Sequence, residues 1–401
     1  MEHDTFNEFS RDEPLFNSPI HVDFDMTNAC NLACHHCHAA SGKRLSDELT
    51  AEEIKSIISQ IHENGVIDLT IAGGEPFLRP DLPEILSYAQ SRDGIYTTVV
   101  TNGTLLKKDV IKKLAISCRG INFNISIDGS TPDKLDILRH RKKRDKDKRK
   151  QLFNQILSGA KAVSDAGLFL GVSFVISGIN ADDLENVYDL AINELGAKSV
   201  TAIRFFPAGY GKNSLSELAL NYHEWEAILL DLTRRHQSFS KLSISVSAPW
   251  EFYLPLLRNG YSPQQVWDIW RYRSTLTDPV YSSVYQTGDA SGIGDLNISG
   301  NGMVYPSVLM SGNHDVLCGN VRENSLKEIW YQSPVLKKIR DIRLSEIGGP
   351  CLNCDIRELC GAGSRARALS VTGNVAGLDY WCPVISEEYR RDRNVIALQK
   401  Q

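Results

Sequence analysis

No run of about eighteen apolar residues occurs anywhere in the 401-residue chain, which argues against a membrane-spanning helix. Neither sign of charge dominates. The 44 basic and 49 acidic residues leave a net charge of −5, which speaks against a nucleic-acid or membrane partner for the chain as a whole. Met1 to Pro14 is polar and acidic, with neither a signal-peptide apolar core nor an arginine-rich amphipathic pattern. We therefore expect a cytoplasmic protein, in which thiols stay reduced. Cysteine is absent between Cys118 and Cys318. The nine cysteines are instead bunched: Cys30, Cys34 and Cys37 in one group, Cys351, Cys354, Cys360 and Cys382 in another, with Cys118 and Cys318 alone. In a long chain of a reducing compartment such bunching points to metal sites rather than disulfides.

What is present alternates between strand-like and helix-like segments from residue 20 to 210. Ile20 to Met26 reads as a strand with Val22, Phe24 and Met26 on one face. Thr50 and Glu53 form a capping box ahead of an Ile54, Ile57, Ile58, Ile61 stripe that Gly65 ends. Val66–Ala72, Tyr96–Thr101, Ile121–Ile127, Leu168–Ile176 and Val200–Phe206 read as further strands. Asp81–Gln90 (capped by Asp81), Leu106–Ala115, Gln151–Ala166 and Asp182–Leu195 read as the helices between them. Helical crossovers imply a parallel sheet, and six units are too few for a closed eight-stranded barrel. We expect an α/β fold built as a curved, partly open barrel. Beyond a helix at Tyr222–Arg235, the aromatics Trp250, Phe252, Tyr253, Tyr261, Trp267, Trp270 and Tyr272 suit either a core bridging two domains or the wall of a substrate pocket. From Asp295 onward, cysteine and glycine punctuation suggests a small metal-stabilised domain.

Three thiolates in the Cys30-x3-Cys34-x2-Cys37 loop can bind three irons of a [4Fe–4S] cube and leave the fourth iron open. A zinc site completed by His35, His36 or His38 is the alternative. The motif resembles Cx3CxφC of the radical SAM superfamily, with His36 at φ, and Gly73-Gly74-Glu75-Pro76 resembles that family's GGEP one strand later. The resemblance covers residues 20–210. It implies a partial (β/α)6 TIM-like barrel that binds S-adenosylmethionine at the carboxyl ends of its strands. It places the methionine amino group at 73–76, the ribose near Ser126 and Asp128, and adenine beside Val175. Asn102 of Thr101-Asn102-Gly103 would sit at the third strand end, and Arg139 near the cofactor carboxylate. The implied chemistry is reductive cleavage of S-adenosylmethionine to a 5′-deoxyadenosyl radical that takes a hydrogen atom from substrate. The electron would come from a one-electron reductant such as flavodoxin or ferredoxin.

Cys351-x2-Cys354-x5-Cys360 with Cys382 resembles the C-terminal SPASM/twitch-like extension, as do Cys318-Gly319-Asn320-Val321 and Ser325 to Trp330. The full pattern has seven cysteines. Here Ser307 stands at the G-x4-C position that begins with Gly302, and Ser364 stands at the CxxxC partner of Cys360. We infer that one auxiliary [4Fe–4S] cluster remains, ligated by the four, with structural zinc as the alternative. Cys318 is an inert core thiol, an alternate ligand, or a hydrogen-atom donor to a substrate radical, which would make the enzyme an epimerase. Cys118 reads as core. The expected organisation is an extension over 1–19, a radical SAM core over 20–235, an aromatic bridge over 236–294, a cluster domain over 295–390 and a tail over 391–401.

Arg139 to Lys150 holds nine Lys or Arg and two Asp in twelve residues. Such blocks are usually solvated, and we read it as a mobile loop, with a docking patch for an acidic peptide or phosphorylated substrate as the alternative. Relatives of the SPASM type modify ribosomal peptides, cofactor precursors, tetrapyrroles or sugars. Peptide modification is our first expectation, and radical oxidation or epimerisation of a small molecule is the second. The 29 residues ahead of Cys30 leave no room for a separate leader-binding domain, which keeps the small-molecule reading open. A non-enzymatic iron–sulfur sensor or electron carrier is the reading of another class, and the GGEP segment argues against it.

Overall fold

The computed structural model of the protein describes residues 14–118, 120–140 and 144–389. The tail over 391–401 and most of the extension over 1–19 lie outside them. The chain opens with β1 (His21–Asp25), α1 (Ala51–Glu63), β2 (Asp68–Ala72), α2 (Leu82–Gln90) and β3 (Tyr96–Thr101). It continues through α3 (Lys108–Ser117), β4 (Asn122–Ser126), α4 (Pro132–Arg139), α5 (Lys146–Asp165), β5 (Phe169–Ile176), α6 (Leu184–Asp189) and β6 (Ser199–Arg204). Neighbouring strands from β1 to β6 pair in parallel and in sequence order, as helical crossovers require.

Local signals explain most elements. Thr50 and Glu53 cap α1 reciprocally, worth about 1 kcal/mol. Ile54, Ile57, Ile58 and Ile61 are buried in the same core as Val22 and Phe24 of β1. Each such side chain contributes roughly 2 kcal/mol by leaving water. Asp81 does not cap α2. Its carboxylate is held by Arg79, Nη2 to Oδ2 at 2.6 Å and Nε to Oδ1 at 2.9 Å.

The structure extends the expected six-strand barrel. After α7 (Leu215–Leu218) and α8 (Tyr222–Arg234), β7 (Leu242–Ser245) adds a seventh parallel strand beside β6. Four residues with alternating burial gave too weak a pattern to read. Following α9 (Trp250–Arg258), β8 (Asp295–Ile298) pairs in parallel with β1 on the other side. Antiparallel partners β9 (Met303–Tyr305) and β10 (Gly319–Asn320) complete a ten-stranded sheet. The sheet thus runs across the expected boundaries at 235/236 and 294/295.

The basic run is also corrected. Arg139 ends α4 and is buried, while Lys146 to Lys150 form the first turns of α5, capped by Asp145, whose carboxylate accepts from the Lys148 N–H at 2.9 Å. Charged residues there are the solvated start of a helix whose apolar stripe begins at Leu152. Residues 141–143 of the run lie outside the described residues.

Most of the aromatic segment is core, with Trp267 the exposed exception. Trp250, Phe252 and Tyr253 of α9 are buried, and Phe252 stacks on Tyr272 with ring centroids 4.4 Å apart. Among the described residues no helix is long and apolar enough to cross a membrane.

Candidate functional site

The cysteine loop leaves β1 and returns on itself. Cys30 N–H donates to the Gly42 carbonyl and Gly42 N–H to that of Asn28, both at 2.9 Å. Glu48, buried, gathers the Thr27 hydroxyl and the Asn28 and Leu45 N–H groups on one carboxylate. Further along, the His35 N–H donates to Leu138 of α4, and Tyr210 N–H donates to the Cys37 carbonyl. The loop is therefore closed on itself and held from three further segments of the chain.

The 73–76 segment is part of that scaffold. A Cβ on Gly73, at φ 125°, would lie 2.5 Å from the Thr27 carbonyl oxygen, and one on Gly74 2.1 Å from that of Ala29. What the two glycines approach in this structure is the start of the cysteine loop: Gly74 N–H donates to Thr27 and Glu75 N–H to Ala29, at 2.7 and 2.8 Å. The Glu75 carboxylate, fully buried, accepts from the Thr101 hydroxyl, the Asn102 N–H and the Phe77 N–H. Burial raises its pKa. Asn102 then donates to Asn31 at 2.9 Å, beside Cys30. Pro76 is buried at the start of the turn that follows.

Three more expected residues meet at the other side of the loop. Asp128 is fully buried. Its Oδ2 lies 2.6 Å from Arg139 Nη2 and 3.5 Å from His36 Nε2, and its Oδ1 accepts from the Val175 N–H at 2.8 Å. The carboxylate expected at a ribose is here held by protein partners, while Ser126 Oγ pairs with Ser173 Oγ at 3.3 Å. Burial pushes the Cys34 thiol up to about 12 and the His36 imidazole down to about 4. His36 Nδ1 and Arg139 Nε are buried without a hydrogen-bond partner. The Cys30 and Cys34 thiols, which burial keeps from ionising, with the Arg139 guanidinium beside them, fit a bound group that takes thiolate and accepts hydrogen bonds.

Cys351, Cys354 and Cys360 come from successive turns and Cys382 from beyond the helix over Arg365–Thr372, and all four line one cavity of about 20 Å³ with Trp250, Leu254, Ile356 and Ile385. Burial pushes Cys360 up to about 12 and raises Cys382 further. Among the described residues no three His, Cys, Asp or Glu side chains close on a single metal-ion position. The four sulfurs border a cavity instead, and an all-thiol donor set with an apolar shell fits a [4Fe–4S] cluster. Ser307, at the position of a lost ligand, pairs with Ser291 Oγ at 2.9 Å. Ser364 accepts from the Arg367 N–H and caps a helix.

The structure does not bring Cys318 to either group. It is buried ahead of β10, its thiol 3.6 Å from the Val316 carbonyl, and β10 is three places from β1 in the sheet. Cys118 is buried core.

Sequence reasoning missed two features. One is a buried ionic network: Glu251 Oε1 lies 2.6 Å from Arg204 and 2.8 Å from Arg367, and Arg367 lies 2.9 Å from Asp379. Nothing in the spacing announces it. The other is the acidic concave face of the sheet. His21, Asp23 and Asp25 of β1 point away from the buried Val22 and Phe24, toward Asp295 and Asn297 of β8: His21 Nδ1 is 3.9 Å from Asp295 and Asn297 Nδ2 is 3.2 Å from Asp25. The period-two polar residues of His21-Val22-Asp23-Phe24-Asp25 were the available signal.

A parallel α/β sheet with cysteines gathered beyond its strand ends, and a second cysteine-lined chamber, define an iron–sulfur enzyme of barrel type. A family profile for the radical SAM superfamily matches residues 24–191, and one for an iron–sulfur cluster-binding domain, SPASM, matches 291–355. The chain thus carries a radical SAM domain followed by a SPASM domain. It is an enzyme that works with a [4Fe–4S] cluster and S-adenosylmethionine, with auxiliary iron–sulfur binding in the SPASM domain.

It is 29% identical over 371 residues to an AdoMet-dependent heme synthase of Methanosarcina barkeri, covering 92% of this chain and 97% of the relative. It is 25% identical to a PqqA peptide cyclase of Rhizobium meliloti, covering 98% and 94%. The fold is similar to that of Streptococcus suis SuiB bound to precursor peptide SuiA, with a TM-score of 0.70 and 19% identity over 92% of this chain and 76% of that one.

Proposed function

We propose that Cys30, Cys34 and Cys37 hold the catalytic [4Fe–4S] cluster, that Cys351, Cys354, Cys360 and Cys382 hold one auxiliary cluster, and that the enzyme abstracts a hydrogen atom from a ribosomally made peptide. When bound, the first cluster and S-adenosylmethionine supply the 5′-deoxyadenosyl radical that takes that atom. The chain's own residues do the positioning. Asp128 orients Arg139 and His36 against the thiols, and Glu75 locks the loop to Asn102. Trp250 and its apolar neighbours keep water from the second group.

The observation that carries the substrate class is the polarity of the concave face. Asp25, at the carboxyl end of β1 and hydrogen-bonded to Asn297 of β8, borders it, while β1 to β8 contain no lysine and one arginine, Arg204, which turns toward Glu251. Burial raises Asp23 to about 8 and Asp25 to about 6. Buried carboxyls that keep much of their protonation offer hydrogen bonds with little charge, which suits the amide groups of a peptide. A tetrapyrrole precursor is the second reading, favoured by the near full-length similarity to a heme synthase. The nine free thiols support work in the reducing cytoplasm, with a one-electron protein reductant.

The test is anaerobic. Reconstituted enzyme with dithionite and S-adenosylmethionine is assayed for 5′-deoxyadenosine, with peptides encoded beside its gene or with iron-coproporphyrin III, against a Cys30/Cys34/Cys37→Ala control. Stimulation by a peptide together with a mass change in it supports the first reading. Stimulation by the porphyrin alone replaces it with the second. No product and no S-adenosylmethionine binding would sink both.

A further inference from the structure

The groove between the start of α3 and the first turns of α5 has no role in the chemistry above. Its volume is about 740 Å³, and Lys107, Lys108 and Lys150 line it, with Asp147 as the one carboxylate among the lining residues. All three lysines are exposed. Their neighbours Lys148 and Arg149 are paired with Asp145 and Asp133, whereas none of the three is ion-paired to a described carboxylate. The groove therefore presents positive charge that the protein itself does not neutralise.

Its rim is joined to the cysteine loop. Thr104, in the lining, accepts a hydrogen bond from Asn31 Nδ2 at 2.8 Å, and Asn31 directly follows Cys30. Electron transfer weakens steeply with distance, so a protein that delivers an electron to a group held by Cys30 must dock beside this loop. Uncompensated lysines attract and orient an acidic surface.

We propose that this groove is the docking surface for an acidic, low-potential one-electron donor protein of the flavodoxin kind. The proposal rests on the reading of Cys30, Cys34 and Cys37 as cluster ligands. In the step it serves, one electron leaves the donor, which is oxidised by one equivalent, and the cluster is reduced by one. No bond and no proton moves. An acidic substrate peptide is the other occupant with matching charge, and the test separates the two.

A Lys107→Glu/Lys108→Glu/Lys150→Glu variant of the full, reconstituted chain is compared with the wild type. Calorimetric titration with flavodoxin at low salt should show binding weakened at least roughly tenfold in the variant. The wild-type affinity should fall as salt rises. Flavodoxin-driven 5′-deoxyadenosine formation should drop in step, while dithionite-driven formation stays within roughly twofold, because a small reductant needs no docking.

Equal affinity of wild type and variant for flavodoxin overturns the proposal. Equal loss under both reductants overturns it too, and assigns the groove to the substrate or to the fold. The same triple set as Lys→Ala keeps the titration decisive if charge reversal disturbs folding. A wild type inert even with dithionite would count against the cluster reading, and the titration would still judge the groove.

Discussion

Arg139 Nη2 lies 2.6 Å from Asp128 Oδ2, both side chains almost wholly buried, one at the end of α4 and the other just past β4. The pair bridges the strand ends to the cysteine loop through His36 and Cys34. Breaking a buried pair from one side leaves the other charge uncompensated, at a cost of about 3–5 kcal/mol. Asp128→Asn should therefore lower the melting temperature and reduce the iron retained after reconstitution. Asp128→Asn with unchanged melting and iron content would show that the pair does not brace the loop.

Glu251 plays the corresponding part between barrel and cluster domain. Its Oε1 is shared by Arg204 and Arg367, and its Oε2 accepts from the Ser247 and Ala248 N–H groups. Glu251→Gln places two guanidiniums near one neutral amide. We expect about 3 kcal/mol of destabilisation in urea, and a partial return when Arg204→Met is added, because the second change removes one of the uncompensated charges. A double variant no better than the single one argues against the coupling.

Asp23 sets a pH dependence. Burial and then the neighbouring Asp25 raise its pKa from the usual carboxylate value to about 8. The folded state thus holds a proton that the unfolded chain releases near pH 4. The stability this gives is complete below that value and is lost as pH rises through about 8. Asp23→Asn should therefore gain about 1–2 kcal/mol over the wild type at pH 8.5 and little at pH 5. Thermal melts at the two pH values check this, and equal gains at both would refute it.

These groups show where sequence reading stops. The capping box at Thr50 and Glu53, the isoleucine stripe of α1 and the strand order through β6 were legible, because each is set by spacing within a few residues. The two cysteine groups were legible for the same reason. What could not be read depends on contacts across the fold. Asp128 meets Arg139 only once α4 is placed, and Glu251 meets Arg367, which lies 116 residues further along the chain. β8 joins β1 from 274 residues away, and no local pattern marks that pairing. The basic run misled because net charge hid a capped helix start.

The second cysteine group makes a metal-specific prediction. Cys351→Ala/Cys354→Ala removes two of four donors from the cavity that Cys360 and Cys382 complete. The purified, reconstituted variant should lose about four iron atoms per chain and no zinc. Loss of zinc with iron unchanged would convert the chamber to a structural zinc site.

Cys318 is the remaining test of the epimerisation alternative. A hydrogen-atom donor must meet the substrate carbon, yet this thiol is buried, and burial pushes its pKa up to about 12. Three strand spacings separate β10 from β1, roughly 14 Å in the sheet. Cys318→Ala should then cost about 1–2 kcal/mol of packing stability. It should leave 5′-deoxyadenosine formation within roughly twofold of the wild type. Deuterium uptake into product from heavy water should also be unchanged, because that exchange reports a protein hydrogen donor. Loss of deuterium in the variant, with 5′-deoxyadenosine still formed, would put Cys318 in the reaction and require a conformation that brings β10 to the substrate.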